Sequence, residues 1–267
     1  MFALSFRFIV FFIEFINPHI CSILNLMMMS SCEGEVPDYE AVIQRAESRV
    51  FHLLHSLEWQ LHSEKKTGSI WSMKCNVMDN YIFRYEGRVP NRSCAEVSAM
   101  IHPEGLHRQK WDSQSAGTSL IEDISQDTSI ILHKTKSRMM GLISGRETVD
   151  LCRFTTDPVD GTRTVVMVSI ETEKVPQKSG IVRAQTYPTL LMISPLGSND
   201  TKITAILQAE LFLQGIPHSI VDTLMPKGIA NFFDDLIKYA SNDSIKVSLN
   251  HSLTGWSEGE SAKIEQC

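Results

Sequence analysis

Residues 181–196 read IVRAQTYPTLLMISPL, residues 198–214 read SNDTKITAILQAELFLQ, and residues 215–240 read GIPHSIVDTLMPKGIANFFDDLIKYA. The first two segments are rich in β-forming residues and are bounded by Pro, Gly, Asn and Asp at positions 195–200, which predicts two strands joined by a turn. The third is entered through Pro217 and repeats apolar residues at helical spacing, which predicts a long amphipathic helix. Two long strands followed by one closing helix are the elements of a curved sheet that grips a helix. No catalytic constellation is evident in this stretch.

The composition limits the number of domains, the kind of partner and the cellular compartment. A chain of 267 residues with 43% hydrophobic composition can form one large domain with a sizeable core, or two small ones. A net charge of −6 and a pI near 5.8 argue against nucleic acid as the main partner. The six cysteines are scattered, without a C-x-x-C pair or metal-type spacing, which indicates a reducing compartment. We expect neither a metal nor a cofactor.

The two ends of the chain differ in composition from its middle. Residues 1–29 are apolar, but Glu14 and the Asn-Pro pair at 17–18 interrupt the run. A membrane-spanning helix needs about 20 mostly apolar residues, so this segment is interpreted as an N-terminal extension or a targeting segment. The predicted remainder is a linker at 30–38, one domain at 39–240, and a polar, disordered tail at 241–267.

The predicted domain begins and ends with a helix. Apolar residues at helical spacing predict the first helix over residues 39–61. Ser93 and Glu96 have the spacing of a capping box, which predicts a short helix over residues 93–101. Asp160-Gly161 predicts a hairpin turn. Further strands are predicted at residues 70–77, 81–89, 118–124, 128–134, 148–155 and 163–172. The sum is an α+β fold with about eight or nine strands, nearly all antiparallel.

Several of these segments resemble the START domain, the lipid-transfer module named after the steroidogenic acute regulatory protein. The segments GIVRAQTYPTLLMISPL and TKITAILQAELFLQGIPHSIVDTLM are similar to its C-terminal third. Residues 142–147, LISGRE, resemble its I-S-P-R-(D/E)-F segment, with Gly145 in place of Pro and Thr148 in place of Phe. Lys110-Trp111-Asp112 resembles its W-(D/N) turn. The resemblance covers about residues 39–239, and the small START-only cytosolic sterol carriers are the most similar members.

The resemblance implies a fold and a function. The expected fold is the helix-grip fold, a curved antiparallel sheet around a hydrophobic cavity that a long C-terminal helix closes. The expected function is to bind a single lipid, with a sterol as first candidate, and to transfer it between membranes. The chain would then be a cytoplasmic monomer with transient contact to anionic membrane surfaces.

The resemblance also implies a gate in front of the cavity. It places residues 134–142 in the omega loop that opens together with the last helix. Three cations there, Lys134, Lys136 and Arg138, are suited to anionic headgroups, and the apolar tips of Met139, Met140 and Leu142 to the membrane interface. On the helix, Leu224 and Pro226 are the predicted gate residues. The alternative is an ordinary loop whose methionines lie in the core.

The predicted ligand contacts rest on the same resemblance. An ungapped count places His133 and Cys152 where the steroidogenic member has a buried Glu–Arg pair, so that pair is absent at these two positions. Their side chains would still offer hydrogen bonds to a ligand hydroxyl, although a core histidine satisfied by backbone is an alternative. Arg183 is expected to make a structural ion pair or a turn contact rather than a ligand contact. The other predicted ligand contacts are Met167, Ser169, Gln208, Asn231 and Phe232.

Catalysis has no support in the sequence, since the common nucleotide-binding, zinc-protease and serine-hydrolase motifs are missing. Three alternatives to a sterol carrier remain open. The first is a phospholipid carrier of the same fold. The second is an enzyme on a helix-grip scaffold, for which His133 and Glu210 are the candidate acid–base pair. The third is a START module whose filled pocket leaves it only protein contacts.

Overall fold

The computed structural model describes residues 37–75, 80–137, 143–213, 218–247 and 256. The predicted segment 1–29 and the predicted gate or membrane residues Arg138, Met139, Met140 and Leu142 lie outside these residues. None of the helices among the described residues is long and apolar enough to cross a membrane.

The described residues form four helices and twelve strands. The helices are α1 (Tyr39–Leu54), α2 (Cys94–Ile101), α3 (Arg108–Trp111) and α4 (His218–Ala240). The strands are β1 (Gln60–Lys65), β2 (Gly68–Cys75), β3 (Asn80–Val89), β4 (Ser115–Asp123), β5 (Thr128–Thr135), β6 (Arg146–Thr156), β7 (Arg163–Ser169), β8 (Val182–Arg183), β9 (Gln185–Thr186), β10 (Thr189–Leu196), β11 (Asp200–Leu207) and β12 (Ala209–Glu210).

The main sheet follows the order β1-β2-β3-β11-β10-β7-β6-β5-β4, and its neighbours along this path are antiparallel. Strand β8 pairs with β6 in parallel, and β9 and β12 form a separate two-stranded sheet. The predicted α+β class is therefore confirmed.

The two faces of the main sheet are covered by different helices. On one face, α1 buries a row of apolar side chains at helical spacing, Ile43, Ala46, Val50 and Leu53. On the other face, which we call the inner face, lies α4, whose buried residues join those of α2 and the strands in one core. Side chains along a strand alternate between these two faces, so every second residue of each strand points to the inner face.

Local sequence signals agree with the structure at two predicted sites. Ser93 and Glu96 form both bonds of a capping box at the start of α2. The predicted turn at Asp160-Gly161 connects β6 to β7, and Gly161 takes a φ of 74°, which glycine adopts without a steric penalty.

The predicted first helix is wrong at its C-terminal end. It stops at Leu54 rather than residue 61, and β1 begins at Gln60. The chain turns because the carbonyl of Leu53 accepts hydrogen bonds from the backbone of Ser56 and from the Trp59 indole. Strand β1 lies at the edge of the sheet, where five of its six side chains are exposed, so it lacks the alternation that reveals a strand.

Candidate functional site

The inner face of the sheet and helix α4 enclose a mostly apolar interior. Strand register places Cys152 opposite Met167, Phe154 opposite Val165, and Ile193 opposite Ile203. Beyond them, Phe83, Tyr85, Ala205 and Leu207 continue the apolar surface. Helix α4 covers this surface with Ile229, Ala230, Phe233, Leu236 and Ile237. This is the place where the sequence predicted a ligand.

One group of polar side chains interrupts this apolar surface. Asp150 on β6 is 2% exposed, and its carboxylate accepts hydrogen bonds from the Thr148 hydroxyl at 2.6 Å and from the Ser169 hydroxyl at 2.7 Å. The Ser169 oxygen in turn accepts the backbone N–H of Thr186 at 2.7 Å. Nε2 of His133 lies 3.7 Å from Oδ2 of Asp150. We call Asp150, His133, Thr148 and Ser169 the polar cluster.

His133 is the member of the polar cluster with an unused hydrogen-bonding atom. Although 20% of its side chain is exposed, Nε2 is buried and has no hydrogen-bond partner among the described residues. Burial lowers the pKa of this imidazole, Asp150 and Asp112 raise it, and Arg108 lowers it further. Burial dominates, so the ring is neutral at pH 7, with one ring nitrogen a donor and the other an acceptor.

Arg108 and Asp112 place a charged pair near His133. Nε of Arg108 donates to Oδ2 of Asp112 at 2.7 Å, and Nη1 donates to the Ile101 carbonyl at 2.8 Å. The guanidinium lies 5.2 Å from the centre of the Trp111 ring and 4.7 Å from that of Phe232. Burial lowers the pKa of Arg108, while Asp112 raises it. The predicted ligand residue Phe232 therefore packs on a cation at the junction of α3 and α4.

Cys152 lies on the inner face as a neutral thiol. It is fully buried, and its Sγ donates to the Asp150 carbonyl at 3.6 Å. Burial, with Asp150 and Glu104 nearby, raises the thiol pKa well above its usual value. Met167 lies directly opposite Cys152 and packs against the core. These two side chains therefore contribute apolar surface beside the polar cluster.

Two predicted ligand residues lie apart from the polar cluster. Gln208 is buried, but its Nε2 donates to Oδ1 of Asn80 at 3.1 Å. Asn231 is exposed, because it lies on the side of α4 opposite to Phe233 and Leu236.

The described gate residues lie on α4, and the described membrane-contact residues lie at the end of β5. Leu224 is half-buried and Pro226 is buried in the middle of α4. Lys134 and Lys136 are exposed at the end of β5, where the Lys136 ammonium donates to the Ser113 carbonyl at 3.2 Å. Arg183 pairs with Glu147 at 2.7 Å, which confirms its predicted structural role.

The sequence interpretation missed Asp150, Thr148 and the Arg108–Asp112 pair. For β6 a signal existed, since Thr148, Asp150 and Cys152 share one face of a strand by their period of two. Glu210, the acid suggested as a partner of His133, lies on β12 and accepts the backbone N–H of Phe212. The acid beside His133 is instead Asp150, two positions before Cys152. The interior therefore does contain an acid–base pair, made of His133 and Asp150.

A depression of about 520 Å³ lies elsewhere, on the surface. The start of α2, the β6–β7 loop and the β10–β11 loop line it, with Ser93, Glu96, Arg163 and Asp200 among its residues. None of the predicted ligand residues lines it, and it is separate from the interior between the sheet and α4.

The sequence of this chain is similar to a known protein family and to several of its members. The family model of the START domain matches residues 52–243. Human StAR-related lipid transfer protein 4 is 25% identical over 70% of this chain and 89% of that protein. Human StAR-related lipid transfer protein 6 is 25% identical over 82% of this chain and 97% of that protein. Human StAR-related lipid transfer protein 5 is 30% identical over 59% of this chain and 74% of that protein.

Solved structures show the same architecture. The structure of human StAR-related lipid transfer protein 5 superposes with a TM-score of 0.70 and 25% identity, over 76% of this chain and 96% of that one. Human STARD10 superposes with a TM-score of 0.62 over 77% of this chain and 82% of that one, at 19% identity. The predicted helix-grip fold is thereby confirmed. Because the family model spans most of the chain and the fold agrees, this chain belongs to the START domain family.

Proposed function

We propose that this chain binds one hydrophobic lipid, with a sterol as first candidate, between the inner face of the sheet and α4, and transfers it between membranes. The observation that carries the proposal is the polar cluster within a mostly apolar interior. The relatives named as lipid transfer proteins support the same function. In this proposal the chain is a carrier and not an enzyme, and works as a cytoplasmic monomer that touches membranes transiently.

The chemistry of the polar cluster suits a ligand with one hydroxyl. Nε2 of His133 and Oδ2 of Asp150 lie 3.7 Å apart, so one oxygen can lie within hydrogen-bond distance of both. A hydroxyl is suited to this place because it donates one hydrogen bond and accepts others. A buried polar atom without a partner costs about 1–3 kcal/mol, which a ligand hydroxyl would recover.

Apolar burial would supply most of the affinity. Each 100 Å² of apolar surface removed from water contributes about 2.5 kcal/mol, whereas a neutral hydrogen bond contributes about 1 kcal/mol net. The apolar side chains of β6, β7, β10 and β11 would therefore hold the lipid body. The polar cluster would fix its orientation. A phospholipid of matching shape would use the same apolar surface, so it is the first alternative cargo.

Helix α4 is suited to act as the gate because its two halves are held differently. None of the side chains at residues 220–225 is buried. After Pro226 the helix buries Ile229, Ala230, Phe233, Leu236, Ile237 and Ala240. Pro226 has no N–H for the carbonyl four residues before it, which weakens the helix at the boundary. We propose that the half before Pro226 moves with the loop at residues 138–142, which lies outside the described residues.

The basic residues beside this gate would meet the membrane. Lys134 and Lys136 are exposed at the end of β5, close in sequence to Arg138, which lies outside the described residues. A lysine near an anionic surface contributes about 1 kcal/mol of attraction. The gate would then open at the membrane surface, where anionic headgroups bind these lysines.

A START module with a filled interior is the second candidate function. It is favoured by one observation: Phe233 of α4 stacks directly on Tyr85 of the sheet, with ring centroids 3.8 Å apart. In that case the chain would act through protein contacts and take up no lipid.

Native mass spectrometry of the full chain purified from cells, followed by lipid extraction, separates these candidates. One sterol-sized adduct per chain supports the sterol carrier, and a phospholipid adduct keeps the mechanism while changing the cargo. Absence of any adduct, together with no uptake of a fluorescent sterol from vesicles, would overturn the carrier proposal in favour of the filled module. A reaction product in place of an intact lipid would favour an enzyme that uses His133 and Asp150.

A further inference from the structure

The C-terminal end of α4 is capped by an arginine from a distant part of the chain. Arg92 lies between β3 and α2 and is 9% exposed. Its Nε donates to the Ala240 carbonyl at 2.9 Å, and its Nη2 donates to the carbonyls of Asn242 at 3.0 Å and Ile245 at 3.3 Å. The last carbonyls of a helix have no partner within the helix, and a cation there also interacts favourably with the helix dipole.

Arg92 is itself held in place. Its Nη1 donates to Oε1 of Glu96 at 2.8 Å, and Glu96 also forms the capping box of α2. One guanidinium thus joins the start of α2, the end of α4 and the chain that follows α4.

A second set of contacts holds Trp256. Trp256 is 3% exposed, and its Nε1 donates to the Thr155 carbonyl at 3.1 Å. Its ring packs edge-on against Phe154 of β6 at 5.3 Å and against His102 at the end of α2 at 5.6 Å. Ile245 and Val247 also pack on the core. Trp256 lies within residues 241–267, which the sequence predicts to be a polar, disordered tail, and its buried indole belongs to the core.

We propose that residues 241–247 and Trp256 form a clasp that holds the C-terminal half of α4 against α2 and the sheet. Ordering a chain segment costs conformational entropy, which the buried indole and the three bonds from Arg92 to main-chain carbonyls offset. The clasp leaves the half of α4 before Pro226 as the part that moves. This inference rests on the proposed carrier function only where it concerns lipid exchange, because the clasp itself is measurable without a ligand.

Hydrogen exchange followed by mass spectrometry on the full, lipid-free chain tests the clasp. Trp256→Ala and Arg92→Gln are expected to raise the exchange of residues 229–247 at least about tenfold, since each removes several buried contacts. Trp256→Phe keeps a ring but loses the bond to Thr155, so we expect an increase of about fivefold. Lys246→Ala is the matched control, because Lys246 is exposed within the same segment.

The outcomes separate the clasp from the proposed function. Unchanged exchange of residues 229–247 in Trp256→Ala and Arg92→Gln, in chains that still unfold cooperatively, would overturn the clasp. Should Trp256→Ala unfold altogether, Trp256→Phe decides by the same readout. With a fluorescent sterol bound, the clasp variants are expected to release it several-fold faster. Failure of the wild-type chain to take up sterol would count against the carrier and would leave the exchange result valid.

Discussion

The ring of Phe233 on α4 lies parallel to the ring of Tyr85 on β3, with the centroids 3.8 Å apart and the planes 5° from parallel. The Tyr85 hydroxyl donates to the Thr67 carbonyl at 2.9 Å, and the Thr67 hydroxyl donates to Asp234 at 2.6 Å. Burial raises the pKa of Tyr85, so the phenol stays protonated and remains a donor. This stack therefore fixes the second half of α4 against the sheet.

Two glycines make room for the Tyr85 ring. Gly68 and Gly87 are paired across β2 and β3, and a Cβ at either position would clash with that ring. We predict that Gly87→Ala lowers the free energy of unfolding by about 1–3 kcal/mol, as overpacking of a core does. Urea denaturation of both proteins measures the change.

The Tyr85→Leu background tests the cause of that loss. If the ring is the obstacle, Gly87→Ala should cost clearly less in Tyr85→Leu than in the wild-type chain, which a double-mutant cycle reports. An equal cost in both backgrounds would show that the strand itself, rather than the ring, rejects the methyl group.

Burial of His133 predicts a dependence of stability on pH. Its folded pKa is lowered, so the unfolded chain takes up a proton at a pH where the folded chain does not. The contribution of neutral His133 to the free energy of unfolding is complete above the ordinary histidine pKa of about 6.5. As the pH falls toward the folded pKa, this contribution is lost, by up to about 1.4 kcal/mol per pH unit. Asp150, Arg108 and Asp112 are the charged groups that act on this imidazole.

Urea denaturation between pH 8 and pH 5 measures this dependence. His133→Asn removes the titrating group, so its stability is expected to fall less than that of the wild-type chain over this range. Burial also lowers the pKa of His107, which is present in both proteins and adds its own pH dependence to each. The difference in stability between the two proteins at each pH is therefore the quantity to compare. His52→Asn is the matched control on an exposed histidine, and a His133→Asn curve parallel to the wild-type curve would refute the prediction.

The sequence predicts those parts of the fold whose causes are local. The capping box of Ser93 and Glu96, the turn at Gly161 and the amphipathic face of α4 each depend on neighbours within a few residues. Strand β1 was missed because an edge strand with exposed side chains is held by backbone pairing to β2.

The site is less accessible to sequence reasoning, because distant elements create it. Arg108 is placed by contacts with Phe232, more than a hundred residues away, and Trp256 by contacts with Phe154. Asp150 gains its role from Ser169 on the neighbouring strand. The family resemblance, rather than residue type and spacing, pointed to His133, Cys152 and Met167, which the strand register places on the inner face. It did not point to the Asp150 carboxylate beside them.

The proposed role of the polar cluster predicts a loss specific to the ligand hydroxyl. His133→Leu is similar in size and cannot form a hydrogen bond, so we expect it to weaken binding of a sterol with a free hydroxyl by about fivefold to tenfold. Binding of the same sterol without its hydroxyl should change less than twofold. Fluorescence titration of both ligands measures the two affinities, and an equal loss for both would place the hydroxyl away from His133.

The proposed membrane contact predicts a dependence on surface charge. Lys134→Ala and Lys136→Ala should each slow sterol transfer to anionic vesicles by about fivefold at low salt, and much less to neutral vesicles. Stopped-flow transfer assays on both vesicle types measure this. Lys66→Ala is the control, since Lys66 is also exposed but lies between β1 and β2, and a similar slowing there would indicate a general charge effect.

Pro226 separates the two halves of α4, and replacing it should stiffen the gate. Pro226→Ala restores the N–H that can bond to the carbonyl four residues earlier, and alanine is favoured over proline inside a helix by about 3 kcal/mol. We therefore expect transfer of a fluorescent sterol between vesicles to slow several-fold, while its equilibrium affinity changes little. Lys227→Ala, an exposed neighbour on the same helix, should transfer at the wild-type rate. If Pro226→Ala transfers lipid as fast as the wild-type chain, the helix does not bend at this residue, and the proposed gate would have to open by movement of the predicted omega loop alone.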